Sequence, residues 1–159
     1  RWPAKVKAGA TSDQLLNLTD LFATCAAIVG AEVPNNAAED SYDMVPALLG
    51  KADEPIRPYM ISQTISNALA IRRGQWKYLD HKGSGGNNYN REGDWGMKPY
   101  ALPDTDPDAP GQLYNLAEDQ AETTDVARQN PEVVDRLSEQ LLAWLRDAEV
   151  SLAGGDRNQ

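Results

Sequence analysis

The sequence predicts an α/β chain with a helix-bearing first third, followed by a small antiparallel sheet packed with a C-terminal helix. Three observations lead there. Leu21, Phe22, Cys25, Ile28 and Val29 recur at helical spacing. Two short runs, 68–72 and 75–79, flank Arg73-Gly74, which is a β-hairpin signal. Asn130-Pro131-Glu132 supplies an N-cap, a proline at the first helical position and an acid in the first turn.

Taken in order, residues 1–10, with Trp2-Pro3 and then Lys5, Lys7 and Gly9, read as a strand end running into a loop. Two starts fit the first helix. Thr11 and Gln14 have capping-box spacing for a helix from Ser12. Thr19, with Asp20 in the first turn where a negative charge suits the helix dipole, fits a later one. The later start is preferred, because residues 15–18 fit an extended segment equally well. Gly30 then stands just past the helix end.

Residues 31–41 are polar and turn-rich, and 42–49 form an apolar stretch of one or two helical turns closed by Gly50. Residues 51–58, with two prolines, are a linker and the main boundary, which divides the chain into 1–57 and 58–159. Beyond it, 59–65 reads as a strand. Residues 81–111 form a loop, Gly/Asn-rich and then Asp/Pro-rich. A loop this long in a compact domain is usually functional or disordered. Residues 112–116 read as a last strand. In the closing helix Val134, Leu137, Leu141, Trp144, Leu145 and Ala148 form a core-facing stripe, and the tail beyond Gly154-Gly155 is expected to fray.

The 159 residues suit one domain or a piece of a larger protein, with a formal net charge of −9. That charge argues against nucleic acid and anionic membrane as partners, since both would be repelled. It leaves open a small anionic ligand, because a local pocket can be basic on an acidic protein. No apolar run reaches bilayer length. Arg1-Trp2-Pro3-Ala4-Lys5 is not a signal peptide, and a start on Arg suggests a chain that begins inside a longer reading frame. A single cysteine excludes an internal disulfide, and a single histidine excludes a metal site built on several.

The candidate chemistry is sparse. Cys25 lies in Thr24-Cys25-Ala26-Ala27-Ile28 and reads as an inert core thiol. His81, between Asp80 and Lys82, reads as a surface histidine. Asp104, Asp106 and Asp108 alternate as in a calcium loop. The sixth and twelfth positions are Ala109 and Asn115, however, where such a loop needs Gly and Glu, so a solvated acidic loop is expected. Gly83-Ser84-Gly85-Gly86 lacks the Gly-Lys-Ser/Thr end of a phosphate loop. The same loop carries Tyr89, Arg91 and Trp95; an Arg can pair with a sulfate and aromatics can stack on a sugar or aryl ring. Arg72, Arg73 and Lys77 read as a solvated face.

Several segments, in order, resemble the C-terminal portion of the type I (formylglycine-dependent) sulfatase family. RWPAKVKAG (1–9) is similar to the stretch after the family's Glu-Gly-Gly-x-Arg-Val-Pro. TDLFATCAAIVG (19–30) looks like its Asp-Leu-x-x-Thr helix, and DSYDMVPALLG (40–50) like its Asp-Gly-x-Ser segment, from which Tyr42-Asp43 departs. AIRRGQWKY (70–78) resembles the Ala-Ile-Arg hairpin with its Trp-Lys pair. QLYNLAEDQAE (112–122) is similar to Leu-Tyr-Asn-Leu-x-x-Asp-Pro-x-Glu, with Gln120 in place of Pro. Residues 130–144 look like the closing helix.

The resemblance implies the alkaline-phosphatase-like sulfatase fold, with 1–57 the tail of the N-terminal domain and 58–159 a C-terminal subdomain. It implies a parent that hydrolyses sulfate esters with formylglycine and calcium. The formylglycine arises from Cys or Ser in Cys/Ser-x-Pro-Ser-Arg, which Cys25 does not match. Asp80-His81 follows the hairpin, whereas the family's calcium pair precedes the segment matching residues 1–9. No catalytic or metal role is therefore carried over, and no cofactor is expected within the chain. Many relatives have His just before the hairpin, where this chain has Ser62 and Gln63. Gln63, Arg91 and Trp95 are the substrate-binding candidates. The implied partner is the N-terminal catalytic portion of the same protein, and sulfatases of this kind are often exported to the periplasm or the cell exterior. The competing reading is a non-catalytic binding module that holds an anionic or carbohydrate ligand on the 83–96 loop.

Overall fold

A computed structural model of the chain describes residues 2–64, 67–81 and 108–152. It divides into two compact units, one ending at Met60 and one beginning at Ile61.

The first unit opens on turns rather than a strand end: the amides of Lys5 and Val6 both donate to the Trp2 carbonyl, at 3.1 and 2.9 Å. A 3-10 turn at Leu18–Asp20 leads into α1, Leu21–Val29. The capping box sits at Asn17 and Asp20. The Asn17 amide donates to Asp20 Oδ2 at 2.7 Å, and the Thr19 amide donates to Asn17 Oδ1 at 3.3 Å. The later of the two expected starts is the one observed. Gln14 is drawn elsewhere: its Nε2 donates to the Glu54 carbonyl at 3.1 Å, and its Oε1 accepts from the Ile56 amide at 2.9 Å. Gly30 ends α1 at φ 69°, a left-handed conformation that favours glycine. A single short helix, α2 (Val45–Leu48), follows.

The buried side of α1 is its polar one. Asp20 and Thr24 are buried, whereas Leu21, Phe22, Ile28 and Val29 are exposed. Cys25 is exposed too, which corrects its expected place in a core. The physical reason lies in residues 41–44. Their backbone donors need acceptors, and the polar side of the helix supplies them. The Tyr42 amide donates to Asp20 Oδ1 at 3.0 Å and the Met44 amide to Thr24 Oγ1 at 3.0 Å. Ser41 Oγ donates to the Thr19 carbonyl at 2.8 Å and accepts from the Ala23 amide at 2.9 Å.

The second unit is a four-stranded sheet in sequential order: β1 (Met60–Gln63), β2 (Leu69–Arg73), β3 (Trp76–Leu79) and β4 (Gln112–Asn115). The β2–β3 hairpin pairs Arg73 with Trp76, so its loop is Gly74-Gln75, with Gly74 at φ 57°. Ile71, Tyr78 and Leu113 form one cross-strand row, and all three are buried. The closing helix α3, Pro131–Leu152, packs against β2 and β3 on that face. Two residues from Ile71 along β2, Arg73 Nη1 donates to Gln140 Oε1 of α3 at 3.1 Å. Leu137 and Leu141 are wholly buried, as the stripe predicts, but Val133 is buried more deeply than Val134. On the opposite face Ala70, Leu79 and Tyr114 form a second cluster with Leu116 packed on it.

Candidate functional site

The sheet brings four strand termini to one end. β1 ends there at Gln63, β2 begins at Leu69, β3 ends at Leu79 and β4 begins at Gln112. Both stems of the 82–107 segment therefore leave from the end that carries Gln63.

Gln63 is exposed, and its Nε2 donates to Asn67 Oδ1 at 2.9 Å. The turn beneath it is fixed by Thr64, whose amide donates to the Ala68 carbonyl at 2.9 Å. Thr64 Oγ1 accepts from the Ala68 amide at 3.1 Å. Asn67 takes φ 63°, which an Asn tolerates better than most residues. Across the end, the Asp80 amide donates to the Leu69 carbonyl at 3.1 Å and extends the hairpin ladder by one bond. His81 follows, half-buried. Tyr78 Oη donates to Asp80 Oδ1 at 3.1 Å. Burial, and then the Asp80 carboxylate, push the Tyr78 phenol up to about 12. On the last stem Gly111 passes so close to β3 that a Cβ there would stand 2.9 Å from the Leu79 carbonyl oxygen.

Of the three substrate-binding candidates, this end places Gln63. Arg91 and Trp95 lie outside the described residues, as do Tyr89, the 83–86 glycine run, Asp104 and Asp106. What the described end offers is a neutral amide, an imidazole and a carboxylate, which can hydrogen-bond a polar ligand. The basic hairpin is not one patch. Arg73 reaches α3. Arg72 and Lys77 are paired in register on the other face, where Lys77 Nζ is 2.7 Å from both carboxylate oxygens of Glu122. Among the described residues no three or more of His, Cys, Asp and Glu stand together to hold a metal ion. No helix among them is long and apolar enough to cross a membrane.

Sequence reasoning missed the most elaborate polar cluster, which lies in the first unit. Asp20 is wholly buried and accepts from Arg57 Nε at 3.1 Å, while Arg57 Nη2 also donates to its Oδ1. The same guanidinium donates to the carbonyls of Asp40 at 2.6 Å and Tyr59 at 3.3 Å, and lies 4.6 Å from the centroid of the Tyr42 ring. Burial pushes the Asp20 carboxyl up. Arg57 and the amides of Asn17 and Tyr42 outweigh that effect and hold it below the usual aspartate range. These acceptors of the Arg57 guanidinium all belong to this chain, so the cluster is an internal tie. The one sequence signal was an Asp at the start of a helix.

No protein-family model matches the chain. It is 39% identical over 141 residues to an N-acetylgalactosamine-6-O-sulfatase of Bacteroides thetaiotaomicron, covering 89% of this chain and 25% of that protein. It is 30% identical over 161 residues to human arylsulfatase A, covering 94% and 30% respectively. A solved protein from work on the metabolism of multiple glycosaminoglycans by Bacteroides thetaiotaomicron superimposes with a TM-score of 0.67 at 38% identity, over 90% of this chain and 27% of that one. The small antiparallel sheet and its closing helix thus fall in the alkaline-phosphatase-like fold class. Within that class the chain belongs to the sulfatase family, of whose curated members it spans about a quarter to a third of the length.

Proposed function

We propose that the chain is the C-terminal part of a sulfatase whose complete form hydrolyses sulfate esters, and that these residues alone are inactive. The supporting observation is the asymmetry of the match, with 89% of this chain aligned to 25% of a sulfatase. Residues 1–57 are the tail of the N-terminal domain and 58–159 a C-terminal subdomain. The partner of both is the N-terminal catalytic portion, which supplies formylglycine and calcium.

Chemistry supports inactivity of the part. Ester hydrolysis needs a nucleophile, a stabiliser of developing charge and a proton for the leaving group. Cys25 is followed by Ala26-Ala27 rather than the formylglycine motif, and His81 stands without a second histidine in the chain. The contribution left to this part is substrate-side: Gln63, Arg91 and Trp95 contact a small sulfated ligand. The relatives' names point to a sulfated amino sugar as its class.

Two measurements test the reading. The isolated chain, supplied with calcium and an aryl sulfate, is expected to show no turnover. The reading frame upstream of Arg1 is expected to encode Cys/Ser-x-Pro-Ser-Arg or a close variant. Calcium-dependent hydrolysis by the chain alone, or an upstream frame without the motif, overturns the proposal. Saturable carbohydrate binding by a stable isolated chain, with no such frame, would favour a free-standing binding module instead.

A further inference from the structure

We infer that Gln63 and Asn67 act as one amide pair, and that the pair holds two neighbouring hydroxyls of a sugar ring rather than the sulfate ester. The inference deepens the sulfatase reading above and rests on it.

The pair is built into the connection between β1 and β2. Gln63 is the last residue of β1, and its Nε2 donates to Asn67 Oδ1 at 2.9 Å. The Asn67 amide donates to the Thr64 carbonyl at 3.0 Å, so its backbone is tied to the residue next to Gln63. Both side chains are exposed, at the end of the sheet from which both stems of the 82–107 segment leave.

Asn67 stands where glycine would be the ordinary choice. Its φ of 63° is left-handed, a conformation that any side chain makes more costly than glycine does. What Asn supplies over Gly is a side-chain amide, and that amide engages Gln63. A non-glycine residue held in this region points to a function for its side chain.

The chemistry of the pair selects the ligand group. Its internal bond uses one amide hydrogen and one carbonyl oxygen. Among the described residues the two side chains have no other partner, which leaves Gln63 Oε1 as an acceptor beside the remaining Nε2 hydrogen and Asn67 Nδ2 as donors. Turning both amides over exchanges the two roles and leaves the same outward set. The charged oxygens of a sulfate ester only accept, so they would set an anion against the acceptor oxygen. Neither amide carries a charge that would offset this. Neighbouring hydroxyls each donate and accept, and so satisfy both kinds of group.

The test uses the polypeptide expressed from the whole reading frame. Its substrates are a sulfated hexosamine with neighbouring ring hydroxyls free, analogues that each lack one of those hydroxyls, and an aryl sulfate. Gln63→Ala and Asn67→Gly are each expected to lower kcat/KM for the intact sugar on the order of tenfold. The unaltered protein should lose a similar factor on the analogue that lacks a contacted hydroxyl, where the two substitutions should add little more. Both substitutions should cost less on the aryl sulfate than on the sugar. Asn67→Gly places glycine at a φ that glycine favours, so its circular dichroism should match that of the unaltered protein and its loss cannot be put down to misfolding.

Losses of the same size on the intact sugar and on every analogue overturn the inference, because no contact with a hydroxyl was removed. Equal losses on the sugar and the aryl sulfate overturn it too. The sulfatase reading is scored separately, by hydrolysis in the unaltered polypeptide. Hydrolysis that neither substitution alters sinks the amide pair alone. If no sulfate ester is hydrolysed, the sulfatase reading falls, and titration with the unsulfated sugar followed by magnetic resonance decides the pair. Binding weakened by both substitutions would support the pair, and binding that is absent or unaltered would overturn it.

Discussion

The guanidinium of Arg57 grips the wholly buried carboxylate of Asp20 across 37 residues of chain. It joins the linker before β1 to the N-terminus of α1 and, through the Asp40 carbonyl, to the segment between them. Removing one partner of such a pair leaves the other buried and uncompensated, at a cost of about 3–5 kcal/mol. Arg57→Ala should therefore destabilise the first unit by that amount. Arg57→Lys keeps the charge but not the planar fork that serves several acceptors at once, and should still cost at least about 1.5 kcal/mol. Urea unfolding, with amide exchange read at α1, checks both. Exchange in α1 unchanged by Arg57→Ala would show that the tie does not hold the helix.

The same pair sets an acid limit. The Asp20 carboxyl is held below the usual range in the native state, after the opposing push of burial is overcome by Arg57 and two backbone amides. A depressed native value means that the unfolded chain binds the proton more tightly. The stabilisation is complete above the ordinary aspartate value of about 4 and is lost as pH falls through the lower native one. Asp20→Asn should be less stable at neutral pH and should show a shallower acid limb. An acid limb identical to that of the unaltered chain would place the pH dependence elsewhere.

Tyr78 sets the opposite limit in the second unit. Its phenol, buried and beside Asp80, is pushed up to about 12, so the native state keeps the proton that an unfolded chain releases near 10. Stability from this group is intact below pH 10 and falls as pH rises toward 12. Tyr78→Phe forfeits the hydrogen bond to Asp80, about 1 kcal/mol at neutral pH, but removes this alkaline loss. Melting followed by circular dichroism at neutral and alkaline pH should show the variant's deficit shrinking as pH rises.

Much of the second unit was legible because its signals are local. The hairpin about Gly74 and the helix from Pro131 depend on residues a few positions apart, and the strands and α3 fall within two residues or so of where they were expected. The first unit was less so. An apolar stripe on a helix ordinarily faces the core, yet α1 turns Cys25 and Phe22 outward. Beyond the local bonds to Asn17 and between the two residues themselves, the partners of Asp20 and Thr24 lie 18 to 37 residues away, in segments with no regular spacing to announce them. In the site region Gln63 was placed by its position before the hairpin, and no local pattern foretold that Asn67 would take up its amide.

The core of the second unit separates two leucines of α3 that neighbour each other in sequence. Leu141 is wholly buried and Leu142 is 46% exposed. Leu141→Ala removes buried methyl groups and leaves a cavity, so a loss of about 2–5 kcal/mol is expected. Leu142→Ala should stay within about 0.5 kcal/mol of the unaltered chain. Urea unfolding monitored by tryptophan fluorescence reads both. Equal losses would mean that α3 presents a different side to β2 and β3.

Gly111 is required for space, and Gly74 for conformation. A Cβ at Gly74 meets nothing within 4 Å, but φ is 57°, so Asn should be tolerated there better than Ala. Gly111 has the reverse problem. Its Cβ would stand 2.9 Å from both the Leu79 carbonyl oxygen and the Tyr78 hydroxyl. The carbonyl belongs to the β3 strand and cannot move aside, so Gly111→Ala should cost about 1–3 kcal/mol and Asn should fare no better. Because one of the two obstructing atoms is the Tyr78 hydroxyl, the cost should shrink when Gly111→Ala is made in a Tyr78→Phe background. A double-mutant cycle by urea unfolding measures that coupling. Strict additivity would show that the Tyr78 hydroxyl has no part in imposing the glycine.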